Sequence, residues 1–150
     1  MKGRIKVGKI VAVNISDRKG IIKHTIEKGF FKAGYGLEGD AHGGSWHRQV
    51  SLLAVESIEK MKALGIKELQ PGSFAENLTT EGLVLYELKV GTKFKIGEVV
   101  LELTQIGKEC HKGCEIRTIV GECVMPREGI FTRVLSEGWI RAGDTIEIVC

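Results

Sequence analysis

Six glycines fall within the sixteen residues Gly29–Gly44 (GFFKAGYGLEGDAHGG), a density that no regular element is expected to tolerate. Each glycine in a regular element costs backbone entropy, and it is useful only where the chain needs a positive φ or a close approach. The segment is therefore expected to be a loop. Structureless loops of more than about 12–15 residues are uncommon in compact domains and are often functional. The whole chain shares this habit, because twenty glycines against two prolines in 150 residues predict many tight turns between short elements.

Between those turns the apolar pattern is mostly of period two. Ile5–Ile15 (IKVGKIVAVNI) alternates Val and Ile with polar residues and predicts a strand, with a turn over Ser16–Gly20. Arg48–Leu53 reads as a strand running into a helix. Val55, Ile58, Met61 and Leu64 then fall three apart on one helical face, with Gly65 placed to end it in a left-handed cap. Phe94–Leu103 predicts a hairpin about Gly97-Glu98, and a second short helix is expected at Ile130–Leu135. Gly143–Val149 reads as a last strand. These elements predict a mostly β fold: a closed or partly open β-barrel with one or two short covering helices. A chain of 150 residues is expected to form one domain, 1–150, burying roughly 70% of its unfolded surface.

Composition narrows the function classes. The net charge is only +3, with 22 basic and 19 acidic residues interspersed. That balance suits an anionic small molecule and leaves no nucleic-acid footprint. The longest apolar runs, such as Val50–Val55, are too short to span a bilayer, and the N-terminus lacks a secretory apolar core. A cytoplasmic location is expected, where cysteines stay reduced and a cysteine cluster points to metal binding or catalysis rather than disulfides.

Four stretches carry the candidate chemistry. Gly39–Gln49 (GDAHGGSWHRQ) sets Asp40, His42, His47 and Arg48 among glycines, Gly43 included, whose N–H groups can cradle an anion. Arg48 can fork onto phosphate or carboxylate, and a histidine can move a proton or ligate a metal; a plain surface turn explains the same residues. Pro71–Gly82 offers Asn77, Thr79 and Thr80 as hydrogen-bond donors, or is simply the loop before a strand. Lys108–Cys123 (KECHKGCEIRTIVGEC) holds Cys110, Cys114 and Cys123, three of the four cysteines, and His111 can complete a tetrahedral zinc site with them. No second paired knuckle accompanies them, and Cys150, the last residue, is expected to fray rather than to serve as a ligand. Lys108, Lys112 and Arg117 favour a thiolate if they also lie near in space. Three buried, inert cysteines remain the competing reading. Pro126–Asp144 adds Arg127, Arg133 and Arg141, cations suited to an anionic tail.

Taken in this order, GLEGDAHGGSWHRQVSLL, GSFAENLTTEGL, the cysteine stretch and GIFTRVLSEGWIRAGD resemble the MOSC domain, named for the C-terminal part of molybdenum cofactor sulfurases. The resemblance covers most of the chain from about Gly36 onward. It implies a barrel related to the barrel domain of pyruvate kinase, and handling of molybdenum cofactor (molybdopterin), which the isolated protein need not retain. It further implies that Cys110 or Cys114 carries sulfur as a persulfide or ligates the metal. Asp40, His42, Gly43, Arg48, Asn77, Arg127 and Arg133 are then expected around the cofactor. Larger relatives carry a desulfurase domain or work with electron-transfer domains. The expected partners are therefore a separate sulfur donor, such as a cysteine desulfurase, and a molybdoenzyme or cofactor-synthesis protein, with no nucleic acid and no membrane. Two other functions remain open: a zinc-stabilised binding module without catalysis, and a molybdenum-dependent reductase subunit acting on N-hydroxylated compounds.

Overall fold

The computed structural model describes residues 6–19, 21–65, 69–107 and 125–149. All four cysteines lie outside that set, together with Lys108, His111, Lys112 and Arg117. In chain order the strands are β1 (Val7–Ile15), β2 (His24–Ile26), β3 (Lys28–Lys32), β4 (Gly36–Leu37), β5 (Val50–Ala54) and β6 (Leu78–Glu81). They continue with β7 (Lys93–Ile96), β8 (Val99–Ile106), β9 (Ile130–Ser136), β10 (Gly138–Arg141) and β11 (Thr145–Val149). Helix α1 (Val55–Ala63) joins β5 to β6, and a single turn, α2 (Met125–Glu128), precedes β9.

Seven strands close into a barrel in the order β1–β6–β5–β9–β8–β7–β11 and back to β1. A closed ring with an odd number of strands cannot be antiparallel throughout, because strand direction must return to itself. One pair has to be parallel, and β5–β6 is that pair, with Leu53 opposite Thr79. Parallel neighbours need a crossover connection, which explains why the long helix sits between these two strands. The remaining six pairings are antiparallel.

Helix α1 also divides the core. Ile10, Leu52, Leu78, Phe94, Leu101 and Ile146 fill the barrel interior. On the outside Leu53, Phe74 and Phe131 pack with Ile58 and Met61 of α1. Strand β5 is buried along its whole length for this reason: the interior takes one face and the helix takes the other. The helix ends as its sequence demands, with Gly65 at φ +96° donating its N–H to Lys62 O at 2.9 Å. The hairpin turn at Gly97-Glu98 is present, with Gly97 at φ +61°.

Two expectations are corrected. Gly29–Gly44 is not one loop, because it contains β3 and β4, which pair with β10 in a three-stranded sheet. Its glycines mark close approaches as well as turns: a Cβ on Gly29 would come within 2.5 Å of Leu37 Cδ1, and one on Gly36 within 2.7 Å of Gln49 O. Ile130–Leu135 is strand β9 and not a helix. Lying between β5 and β8, it gives its backbone hydrogen bonds to two neighbours, and its β-branched and aromatic residues fit a pleated surface. Among the described residues no helix is long and apolar enough to cross a membrane.

Truncation of a barrel-interior side chain should leave a cavity that the closed ring cannot collapse. Leu52→Ala should lower unfolding free energy by about 2–5 kcal/mol in urea titrations. The exposed control Val90→Ala, at a position 64% exposed, should change it by less than about 0.5 kcal/mol.

Candidate functional site

The glycine-rich loop is fastened to the barrel by a charge pair that neither partner exposes. Lys23, between β1 and β2, and Asp40 have fully buried side chains, with Nζ 2.8 Å from Asp40 Oδ1. Both charges are saturated. Asp40 Oδ1 also accepts Ser16 N–H, and Oδ2 accepts His42 N–H, each at 3.0 Å. Lys23 Nζ donates in addition to Ser16 Oγ at 3.1 Å. Burial alone would raise the Asp40 carboxyl. Hydrogen bonding from His42 and the charge of Lys23 outweigh it and hold the carboxyl well below the usual carboxylate range. Lys23 Nζ lies 3.2 Å from His42 Nδ1, whereas Asp40 Oδ2 is 3.6 Å from the same nitrogen.

The amides of this loop are committed internally. Ala41 N–H reaches Ser16 O, Gly43 N–H reaches Asp40 O, and Gly44 N–H reaches Tyr35 O. Gly43 lets the Tyr35 ring pack against the loop, since a Cβ there would lie 2.4 Å from that ring and require it to move. What the loop presents outward is therefore its cations and rings. The Trp46 indole donates to His42 O at 2.8 Å. The Arg48 guanidinium stands 4.8 Å from the Trp46 ring centroid and 5.5 Å from that of Phe131, and Lys19 lies 4.9 Å from the Trp46 ring. Arg48 Nε is buried and finds no hydrogen-bond partner among the described residues.

A register shift in β8 connects this loop to the end of the strand. The pairing steps from Leu103 opposite Thr132 to Gln105 opposite Phe131, which leaves Thr104 as an extra residue. Successive strand side chains ordinarily point to opposite faces, and a bulge re-aims them. Here both Thr104 and Gln105 reach His47. The Thr104 hydroxyl lies between the carbonyls of His47 and Phe131, and Gln105 Oε1 sits 2.8 Å from His47 Nε2. Gln105 Nε2 then donates to Gly107 O at 2.7 Å, and Gly107 N–H donates to Gly129 O at 2.7 Å. The described chain resumes at Met125 on α2, whose Glu128 is bonded to Ser57 and Lys60 of α1, and it leaves for the cysteine stretch at Gly107, next to the loop–β8 junction. A cleft of about 580 Å³ opens there, lined by Ser45, Trp46, His47, Thr104, Arg133 and Leu135 among others.

The sequence-predicted residues divide into three groups. His42, His47, Arg48 and Arg133 belong to one connected surface around the loop and cleft; Arg133 is held by Glu102 Oε1 at 2.7 Å. Asp40 and Asn77 are buried and work inside the fold. Asn77 Oδ1 accepts Ser51 N–H at 3.0 Å, and its amide donates to Asn14 O at 3.3 Å. Arg127 is exposed on α2. Cys110 and Cys114 lie outside the described residues. Sequence reasoning passed over Lys23, Gln105 and Glu76. Glu76 is fully buried, and burial pushes its carboxyl up against the hydrogen bonds of Thr79 (2.6 Å) and Gly72 N–H (2.9 Å). The one available signal was position: Lys23 follows the strand-ending turn, where a lone lysine reads as solvated.

The MOSC domain family model matches residues 39–147. A relative described as an uncharacterised protein, YflK of Bacillus subtilis strain 168, is 26% identical over 141 residues, covering 87% of this chain and 63% of its own length. The chain therefore spans less than two thirds of that relative. Among solved structures, the YuaD protein from Bacillus subtilis superposes with a TM-score of 0.81 at 20% identity over 97% of both chains. YiiM from Geobacillus stearothermophilus gives 0.73 at 20% identity, over 95% of this chain and 75% of its own. These two likenesses concern the fold.

Removing one partner of the buried pair should be far worse than removing both. Asp40→Asn leaves Lys23 without its counter-charge and should cost about 3–5 kcal/mol, more than the double variant Lys23→Met with Asp40→Leu. The pH dependence follows the sign of the shift. A carboxyl held below its ordinary value of 3.8 contributes stability above that value and loses it as pH falls toward the folded-state value. Glu76, shifted upward, acts in the opposite sense, favouring the fold at low pH. The stability difference between wild type and Asp40→Asn, from urea midpoints across acidic pH, should therefore shrink as pH falls below about 4.

Proposed function

Because the chain belongs to the MOSC domain family, associated with molybdenum cofactor binding and sulfurase-related function, we propose that it binds this cofactor at the loop–β8 rim and acts as a sulfur carrier or cofactor-binding module in molybdoenzyme maturation. The observation that carries the proposal is the convergence on one rim. The cleft, the Trp46–Arg48 stack and Gly107, where the described chain enters the cysteine stretch, lie around the loop–β8 junction. The residues fit an anionic pterin. Arg133 lines the cleft together with the Trp46 ring, which the Arg48 guanidinium stacks against, so a phosphate would find a cation beside an aromatic wall. Asp40 and Asn77 serve by holding the loop and the β5–β6 junction, and Gly43 by admitting Tyr35. Arg127, on α2, adds a cation at the return of the stretch.

When bound, the cofactor supplies a metal centre that favours soft thiolate ligands. The chain's own contribution is a thiol, Cys110 or Cys114. As a sulfur carrier, its thiolate attacks the outer sulfur of a donor persulfide, forming a new S–S bond and releasing the donor thiolate without net oxidation. The donor is a separate protein such as a cysteine desulfurase, and the acceptor is a molybdoenzyme or cofactor-synthesis protein.

Elemental analysis of protein purified from its native host, paired with timed alkylation and peptide mapping, tests this. Molybdenum with a pterin, or no metal together with faster labelling at Cys110 or Cys114 than at Cys150, is the expected result. Tightly held stoichiometric zinc would instead make the chain a binding module. Equal, slow labelling of all cysteines without molybdenum would end the proposal. Reduction of N-hydroxylated compounds by the molybdenum-loaded form would assign it to a reductase.

A further inference from the structure

Of the loop's two imidazoles, His47 is the one that lines the cleft, and the bulge in β8 determines how it is protonated. Gly107 O can only accept a hydrogen bond, so the Gln105 group 2.7 Å from it must be the amide NH2. That choice turns Gln105 Oε1 toward His47 Nε2, 2.8 Å away. An amide oxygen also only accepts, so His47 Nε2 must carry the proton. In the neutral ring Nδ1 is then bare, and it has no hydrogen-bond partner among the described residues. The Thr104 hydroxyl against His47 O fixes the backbone of the same residue, and the Trp46 ring stands edge-on to the imidazole at 6.1 Å. The ring is therefore held at its backbone, at one nitrogen and at one edge, with its other nitrogen unspent.

We propose that His47 is the proton acceptor of this cleft, presenting Nδ1 to an acidic hydrogen of the occupant, a thiol S–H or a ring N–H, and that Gln105 is the positioning residue that fixes this tautomer. The proton moves from the occupant to Nδ1 and leaves an imidazolium whose Nε2–H still donates to Gln105. Arg133, 2.7 Å from Glu102, supplies the cation that favours the occupant's anion across the cleft. The proposal deepens the reading of the rim as a cofactor and thiol site, and rests on it only for what the occupant is. A second-position role of this kind is common for ring-orienting partners, because the hydrogen bond at one imidazole nitrogen decides what the other can do.

The test is two-dimensional 1H–15N NMR of the histidine rings in the full chain, with His47→Gln to assign the His47 signals. It needs neither molybdenum nor a reactive cysteine, so loss of the cofactor reading leaves it intact. In wild type, at a pH where the ring is neutral, His47 should show a protonated-type Nε2 and a bare-type Nδ1. Gln105→Met, which keeps length and removes the acceptor, should mix the two tautomers while the backbone amide spectrum stays folded. Gln105→Glu keeps an acceptor at the same reach and should restore protonated Nε2. A wild-type ring protonated at Nδ1, or a tautomer unchanged in a folded Gln105→Met, would overturn the proposal. Addition of 2-mercaptoethanol or a heteroaromatic thiol should shift the His47 Nδ1 resonance in wild type and shift it less in Arg133→Leu, which keeps the imidazole and removes the cation across the cleft; no shift with either thiol in wild type would also overturn it.

Discussion

The buried Lys23–Asp40 pair is the contact on which the arrangement of the site depends. Two charges taken fully out of water cost several kcal/mol each unless every donor and acceptor is used, and here almost every one is. Asp40 collects Ser16 N–H, His42 N–H and Lys23 Nζ; Lys23 reaches Asp40, Ser16 and His42. Apolar side chains in the same places would fill the volume, but they would not fix where residues 40–42 run. The pair is therefore best understood as a register device. It spends electrostatic energy to place one loop relative to the end of β1, and His42, Trp46 and Arg48 follow from that placement.

The barrel supplies the other half of the site. Because the ring is odd, β5 and β6 run parallel and α1 has to cross between them. The helix covers one sector of the barrel wall and leaves the rim above β8 and β9 to the loop. The bulge at Thr104 turns two consecutive side chains toward that loop. A regular β8 would have sent Thr104 and Gln105 to opposite faces, and the loop would touch the barrel through one of them only. Loop and barrel are thus joined twice, once through buried charges at Asp40 and once through neutral hydrogen bonds at His47.

Much of this was legible in the sequence, and the remainder was hidden for identifiable reasons. Alternating Val and Ile announced β1, and the three-residue spacing with Gly65 announced α1, because these signals are local. The β3–β4–β10 sheet was not legible. Its strands are short, and Phe30 pairs with Trp139, far along the chain, so no local pattern encodes the partner. Ile130–Leu135 reads as a helix in sequence because six residues, four of them apolar, fit either period until the neighbours of β9 are known. The loop Gly39–Arg48 stood out by residue type alone. Lys23 and Gln105 did not, since their roles come from a turn and a bulge that position them, and neither leaves a composition signature. Asn77 was recognised as a polar turn residue, yet it is spent on Ser51 and Asn14, a use that only the parallel junction reveals.

Amide hydrogen exchange in Lys23→Met, followed residue by residue, tests most directly whether the buried pair fastens the loop to the barrel. The account predicts that His42 and Gly44 amides exchange at least tenfold faster than in wild type, while Leu52 and Leu103 in the barrel core keep their protection relative to one another and stay the slowest. Unchanged protection at His42 and Gly44, or uniform acceleration of loop and barrel together, would contradict it.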